Sequence, residues 1–310
     1  MKTGKRIQLI GCPVGSGAGQ PGCGMGSAAL RIANIQNELR ELGHDVIDSG
    51  DLQSMPVGDF VIPGNARNLS IIAGWTRSIF KASCKSLEDG CMPIFMGGDH
   101  SLSMGSVAGA AQYATQTGRP LCVLWLDAHS DFNTPMSSPS GNMHGMPVAF
   151  FCGESGFDGI LTTELPKVNP ENVFMFGIRS VDSIERKLVS SRGVNIYDMR
   201  AIDEFGTSKI IQKIIEKIKG MNAMLHVSLD VDFLDPSIAP GVGTTVPGGA
   251  TFREAHLALE MLHESDLVTS LDLVELNPYL DDRGKSARML VGLTTSLFGQ
   301  KILDKPNTII

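Results

Sequence analysis

Four short stretches of this chain combine acidic and imidazole side chains at spacings that a protein core would not choose. They are Gly97-Gly98-Asp99-His100, Asp127-Ala128-His129-Ser130-Asp131, Asp230-Val231-Asp232 and Glu275-Leu276-Asn277-Pro278. Each follows a short apolar run that reads as a buried strand. If the chain stays extended past such a strand, positions i, i+2 and i+4 point to one side. Asp127, His129 and Asp131 would then converge, and Asp230 and Asp232 would repeat the arrangement from another strand. With His100, they gather four carboxylates and two imidazoles. Out of water, that charge would force some carboxyls to take up protons unless cations offset it. One divalent ion relieves part of the repulsion, and two ions sharing bridging carboxylates relieve more. Mixed Asp/His donors suit Mn2+, Fe2+, Co2+ or Zn2+, and the carboxylate-rich balance leans toward Mn2+. A lone Asp-x-Asp would read as a helix cap or a solvated strand end. Two such clusters plus His100, all at strand ends, argue for a metal centre.

Those ends need a scaffold that brings them together. The pattern predicts strands over Ile7–Ile10, Pro93–Met96, Leu121–Leu126, Val173–Ile178, Met224–Leu229 and Leu267–Val274. It predicts helices over Ala28–Leu42 (stopped by Gly43), Ser101–Thr115 (opened by a capping serine), Ile184–Ser191, Ile210–Lys219, Phe252–Glu264 and Ala287–Leu297. Continuous apolar strands separated by helices indicate an α/β fold with a parallel sheet covered on both faces. No internal repeat or Ser/Pro/Gly-rich linker divides the chain, so residues 1–310 read as one domain. The segments Asn133–Gly145 and Ser237–Gly249 are rich in Pro, Gly, Ser and Thr and follow strands directly. In an open parallel sheet, such loops at the carboxyl ends of strands hold ligands.

Composition narrows the function. The 310 residues carry 33 acidic and 26 basic side chains, a net charge of −7, which argues against a nucleic-acid partner. No apolar run approaches the roughly 20 residues that span a bilayer, so no membrane partner is expected. The charged start Met1–Arg6 leads into too short an apolar stretch for a signal peptide, and reads as the approach to the first strand. Cys12, Cys23, Cys84, Cys91, Cys122 and Cys152 show no metal-finger spacing. They read as buried reduced thiols of a cytoplasmic protein. The chain ends soon after its last predicted helix, in a short tail, Lys301–Ile310.

The motifs Gly97-Gly98-Asp99-His100-Ser101, Asp127-Ala128-His129-Ser130-Asp131 and Ser228-Leu229-Asp230-Val231-Asp232-Phe233-Leu234-Asp235-Pro236 resemble the three metal motifs of the ureohydrolase superfamily. The likeness runs from the first strand to the last helix. Within the superfamily, Asn133-Thr134-Pro135 and Ser140-Gly141-Asn142-Met143-His144-Gly145 are similar to the arginase substrate loop. Ser130 stands where many relatives have Thr. Ser180 stands where the animal arginases tend to have Asp, which leans toward a bacterial type. The resemblance implies a three-layer α/β/α fold with a mostly parallel sheet of about eight strands. It implies two Mn2+ per subunit, one held by His100, Asp127, Asp131 and Asp230, the other by Asp127, His129, Asp230 and Asp232.

The implied reaction converts L-arginine and water to L-ornithine and urea, through attack of a metal-bridging hydroxide on the guanidinium carbon. Glu275 would pair with the guanidinium. Asp131 would carry the hydroxide proton to the departing amine, and His144 would act as proton shuttle. Asn133 and Ser140, with Asn142 in the same loop, would face the α-carboxylate; Asp182 and Glu185 would face the α-amino group; Thr244 would lie on the substrate side. Asp99 would orient backbone or a ligand from behind, and Asp235 would cap a turn. A homotrimer or homohexamer is also implied. Rival readings are another ureohydrolase acting on agmatine or a guanidino acid, a non-catalytic arginine-binding regulatory relative, and a metal-dependent deacetylase on a related fold.

Overall fold

Eight strands form a single sheet in the computed structural model, which describes residues 4–161 and 166–301. The tail beyond Lys301 lies outside the described residues. The strands are β1 (Arg6–Gly11), β2 (Asp45–Asp51), β3 (Met92–Met96), β4 (Leu121–Leu126), β5 (Val173–Ile178), β6 (Asn195–Asp198), β7 (Met224–Asp230) and β8 (Val268–Val274). Their order is β2-β1-β3-β8-β7-β4-β5-β6, and every neighbouring pair is parallel. The helices are α1 (Gly26–Ile32), α2 (Ile35–Glu41), α3 (Leu69–Glu88), α4 (Ser103–Gln116), α5 (Pro147–Cys152), α6 (Ser183–Ser191), α7 (Met199–Phe205), α8 (Thr207–Gly220), α9 (Phe252–Ser265) and α10 (Lys285–Leu297).

Strand periodicity divides the core into two layers. In β4, Cys122, Leu124 and Leu126 join the cluster that includes residues of α8, α9 and α10. The alternate residues Leu121, Val123 and Trp125 join the cluster that includes residues of α3, α4 and α5. The result is the expected three-layer arrangement, with the sheet between two layers of helices. The expected single helix Ala28–Leu42 is two helices. Asn34 between α1 and α2 takes φ 71°, a left-handed conformation that Asn tolerates better than most residues.

The strands that carry the candidate residues, β3, β8, β7 and β4, are consecutive in the middle of the sheet. Each delivers its polar residues at its carboxyl end, so one edge collects all four motifs. The turn after β3 requires glycine. Gly97 (φ 70°) and Gly98 (φ 94°) are left-handed, and added Cβ atoms would collide with the backbones of Ser27 and Cys12. Asp99 then caps the 3-10 turn His100–Leu102 by accepting from Ser101 N at 3.1 Å. The expected serine cap is therefore absent: Asp99 caps the 3-10 turn, and α4, which continues it from Ser103, opens without a side-chain cap.

Trp125, among the largest fully buried side chains, stacks on the His100 ring with centroids 4.0 Å apart and planes at 6°. It is part of the wall that fixes this imidazole. Trp125→Ala should destabilise the protein by about 3–5 kcal/mol through the cavity it leaves. Urea denaturation checks this: the midpoint should fall with little change in slope, and an unmoved midpoint would remove Trp125 from the wall's support.

Candidate metal centre and substrate cavity

The polar motifs converge, although not by staying extended. Asp127 follows β4 directly, but the segment then bends, and Asp131 takes φ 46°. Asp230 ends β7, and Asp232 lies in a 3-10 turn, Val231–Phe233. The alternation expected for i, i+2 and i+4 therefore does not produce the cluster. Turns do, each held by a carboxylate of the motif itself: Asp127 Oδ1 accepts from His129 N at 2.6 Å, and Asp230 Oδ1 from Asp232 N at 2.7 Å. Glu275 is also left-handed, at φ 60°. Two non-glycine residues in sparsely populated backbone regions at one site cost strain that the surrounding fold must hold.

Around His100 Nδ1 lie Asp230 Oδ2 at 3.0 Å, Asp127 Oδ2 at 3.1 Å and Asp131 Oδ2 at 3.2 Å. Around His129 Nδ1 lie Asp232 Oδ2 at 3.0 Å and Asp127 Oδ1 at 3.6 Å. Two groups with metal-binding geometry result, His100–Asp127–Asp230 and Asp127–His129–Asp232, and Asp127 belongs to both. His100 Nδ1 and Asp127 Oδ2 are buried and have no hydrogen-bond partner. Buried polar atoms are rarely left so. A cation between them would satisfy both, so the donor set fits divalent metal.

Electrostatics without a cation are unbalanced. Burial works against a charged His129, yet Asp127 and Asp232 push its pKa up to about 12. Burial likewise opposes a charged His100, but Asp127, Asp131 and Asp230 raise it well above the usual imidazole range. Burial and the neighbouring Asp127 charge raise Asp131 to about 7. Burial and the Asp232 and Asp127 charges raise Asp230. The metal-free cluster thus binds protons where a cation would otherwise sit.

Next to the cluster is a cavity of about 250 Å³ lined mostly by polar residues. His100, His129, Asp131, Asp230, Asp232, His144, Glu275, Asn133, Ser140, Asn142, Asp182, Glu185 and Thr244 all line it. Asp127, 1% exposed, lies beneath. Glu275 Oε1 accepts from His100 N at 2.8 Å and sits 2.9 Å from His144 Nδ1. Burial opposes a charged His144, but Glu275 raises its pKa to about 9. Burial opposes a charged Glu275, but His144 and the His100 N–H outweigh it and hold the carboxyl below its usual range. Asp99 accepts from Gly17 N at 2.8 Å and Ala18 N at 3.2 Å, and Gly17 O accepts from His144 N at 3.2 Å. Asp99 therefore organises backbone, as expected, and through it the loop that carries His144. Asp235 accepts from Ser237 N, Gly248 N and Gly249 N, a turn cap.

Several side chains expected at substrate are already engaged. Glu185 Oε1 accepts from Phe132 N at 2.8 Å and Oε2 from Asp182 N at 3.3 Å, in a capping box at the start of α6. Thr244 Oγ1 donates to Asp232 Oδ2 at 3.2 Å. Asn133 Oδ1 accepts from Ser137 Oγ at 2.8 Å, and Ser140 Oγ accepts from Asn142 N at 3.2 Å. Residues that sequence reasoning passed over also shape the site. Ser228 Oγ meets His100 Nε2 at 2.8 Å; it stands inside a quoted motif, two residues before Asp230, on the same side of the strand. Cys23 Sγ approaches Glu275 Oε2 at 3.4 Å, across 252 residues of chain, with no local signal. Arg179 donates to the carbonyls of Asp232 and Val246, bracing the loop after β7.

Comparison with known proteins places the chain in a family. Residues 5–299 match the model of the arginase family. The chain is 50% identical over 305 residues to an arginase of Agrobacterium fabrum, covering 98% of this chain and 94% of the relative. It is 50% identical to an arginase of Brucella melitensis, covering 96% of this chain and 98% of the relative. The structure of an arginase from Bacillus caldovelox superposes with a TM-score of 0.88 at 40% identity, over 96% of this chain and all of that one. On sequence, fold and cavity together, the chain belongs to the arginase family of hydrolases.

Proposed function

We propose that this chain hydrolyses L-arginine to L-ornithine and urea at a pair of divalent cations, with Mn2+ the best match to the donors. The observation that carries the reading is Asp127, common to two His/Asp groups, beneath a cavity whose wall holds Glu275 against His144. His100, Asp127, Asp131 and Asp230 would hold one cation, and Asp127, His129, Asp230 and Asp232 the other. Bound there, the cations would supply Lewis acidity and acidify coordinated water enough for attack at neutral pH.

The remaining work belongs to side chains. Glu275, ionised and buried, pairs with the guanidinium and holds its carbon over the cluster, so part of the gain is orientation. Asp131 would carry the hydroxide proton to the departing amine, the first proton of the water having gone to solvent. His144 presents Nδ1 to Glu275, which leaves Nε2 to deliver a proton from solvent to the ornithine amine. Asn133, Ser140 and Asn142 address the α-carboxylate. Asp182 and Glu185 address the α-amino group, with Glu185 acting through the Asp182 backbone it caps. Thr244 aligns Asp232 at the substrate side. The reading extends to a single-domain subunit of a cytoplasmic homotrimer or homohexamer.

Urea release from L-arginine, agmatine and 4-guanidinobutyrate, measured side by side, tests the substrate. L-arginine should dominate, chelation should abolish turnover, and Mn2+ should restore it; a preference for agmatine would defeat the assignment. In the same assay His144→Ala should lower kcat by about 10²–10⁴-fold, and an unchanged kcat would take His144 out of the reaction.

Cation uptake should also depend on pH. In the metal-free protein His129 keeps its proton throughout the neutral range and Asp131 keeps its own below about 7, so a cation must displace both protons below about 7 and the His129 proton above it. Raising the pH removes this competitor, and affinity rises. Calorimetric Mn2+ titrations from pH 6 to 8 should show Kd falling about tenfold per pH unit for each proton released. A Kd independent of pH would contradict the competition.

A further inference from the structure

On the side of His100 away from the cavity, the fold buries a carboxylate and an imidazole that the proposed reaction does not use. Asp272 on β8 and His226 on β7 are both 0% exposed. The register sets Ser228 opposite Asp272 and Ser270 opposite His226. Asp272 Oδ2 accepts from Ser103 Oγ at 2.6 Å and from Ser106 Oγ at 2.7 Å. His226 Nε2 lies 3.0 Å from the same oxygen, and its Nδ1 meets Ser270 Oγ at 2.8 Å. The hydroxyls continue toward the cluster. Ser103 Oγ is 3.5 Å from Ser228 Oγ, the longest link, and Ser228 Oγ is 2.8 Å from His100 Nε2.

The far end gives this chain a direction. An oxygen receiving two hydroxyl protons acts as acceptor only. Ser103 gives its single proton to Asp272 and keeps lone pairs for Ser228. Ser228 gives its proton to Ser103 and offers a lone pair to His100. His100 must then carry a proton on Nε2, so that when a cation displaces the proton on Nδ1 the freed lone pair lies among the Asp127, Asp131 and Asp230 oxygens. An imidazole that ligates through Nδ1 needs this arrangement, and the group on its other nitrogen sets it.

We infer that Asp272 is a positioning residue for the metal centre: through Ser103 and Ser228 it commits His100 to offer Nδ1 to a cation. The inference rests on the metal reading proposed above. It also separates two jobs of one carboxylate. Ser103 and Ser106 both tie the start of α4 to β8, but only Ser103 continues to His100.

The test uses that difference. Mn2+ is titrated into chelator-treated wild type, Ser103→Ala, Ser106→Ala and Asp272→Asn. Filling is followed by electron paramagnetic resonance, where a spin-coupled signal reports paired ions, and melting of the metal-free proteins is recorded alongside. Wild type and Ser106→Ala should take up two ions. Ser103→Ala and Asp272→Asn should lose about 10–100-fold in affinity at one of the two sites, and with it the coupled signal at Mn2+ levels that pair the ions in wild type. The serine variants should melt at similar temperatures. Should Asp272→Asn not fold, the two serine variants decide alone. Wild-type filling in Ser103→Ala, or an equal loss in Ser106→Ala, would reduce Asp272 to a packing role. Failure of wild type to pair two ions would instead defeat the metal reading, and this inference with it.

Discussion

Everything at this site follows from burying four carboxylates, Asp127, Asp131, Asp230 and Asp232, around two imidazoles at one edge of a parallel sheet. Each carboxylate taken from water loses solvation, and each neighbouring charge adds repulsion. Protein groups offset part of this. His100 and His129 supply nearby donors, while turn N–H groups satisfy Asp127 Oδ1 and Asp230 Oδ1. They do not satisfy everything, since His100 Nδ1 and Asp127 Oδ2 lie 3.1 Å apart without forming a hydrogen bond. The strain at Asp131 and Glu275 belongs to the same bargain: a backbone bent out of its preferred region is what aims these carboxylates inward.

The fold meets this demand through strand order. The four strands that end in candidate residues are consecutive, so groups 175 residues apart in the chain, the His100 backbone N–H and the Glu275 carboxylate, come within hydrogen-bond reach. Behind them stand Trp125 against the His100 ring, Asp99 beneath the Gly17 loop, and Arg179 across the loop after β7.

Much of this was legible from residues alone. β3 and β4 are apolar throughout because both faces are buried, and that continuous pattern marks them, while β7 and β8 keep enough apolar residues to be read as strands around the buried His226, Ser228, Ser270 and Asp272. Edge strands β2 (Asp45–Asp51) and β6 (Asn195–Asp198) escaped notice because they are half-exposed and carry Asp, Ser and Asn. Helix α3 is harder to read for another reason: its buried stripe of Ile72, Ala73, Ile79 and Leu87 is interrupted by buried Thr76, Ser78 and Ser83, where α4 comes close through Gly105 and Gly109. At the site, the ligand types were visible but their mode of convergence was not, because a left-handed Asp131 has no sequence signature. Of the partners of His100 and Glu275, Ser228 at least shares a side of β7 with Asp230, whereas Cys23 meets Glu275 across 252 residues of chain and no local pattern announces it.

The most direct measurement is a crystal structure of the protein soaked in Mn2+, with anomalous scattering recorded at the manganese edge. The account predicts two anomalous peaks per subunit within the cluster, with an Asp127 oxygen bonded to each. A cluster without peaks, or ions bound elsewhere that leave Asp127 untouched, would contradict it.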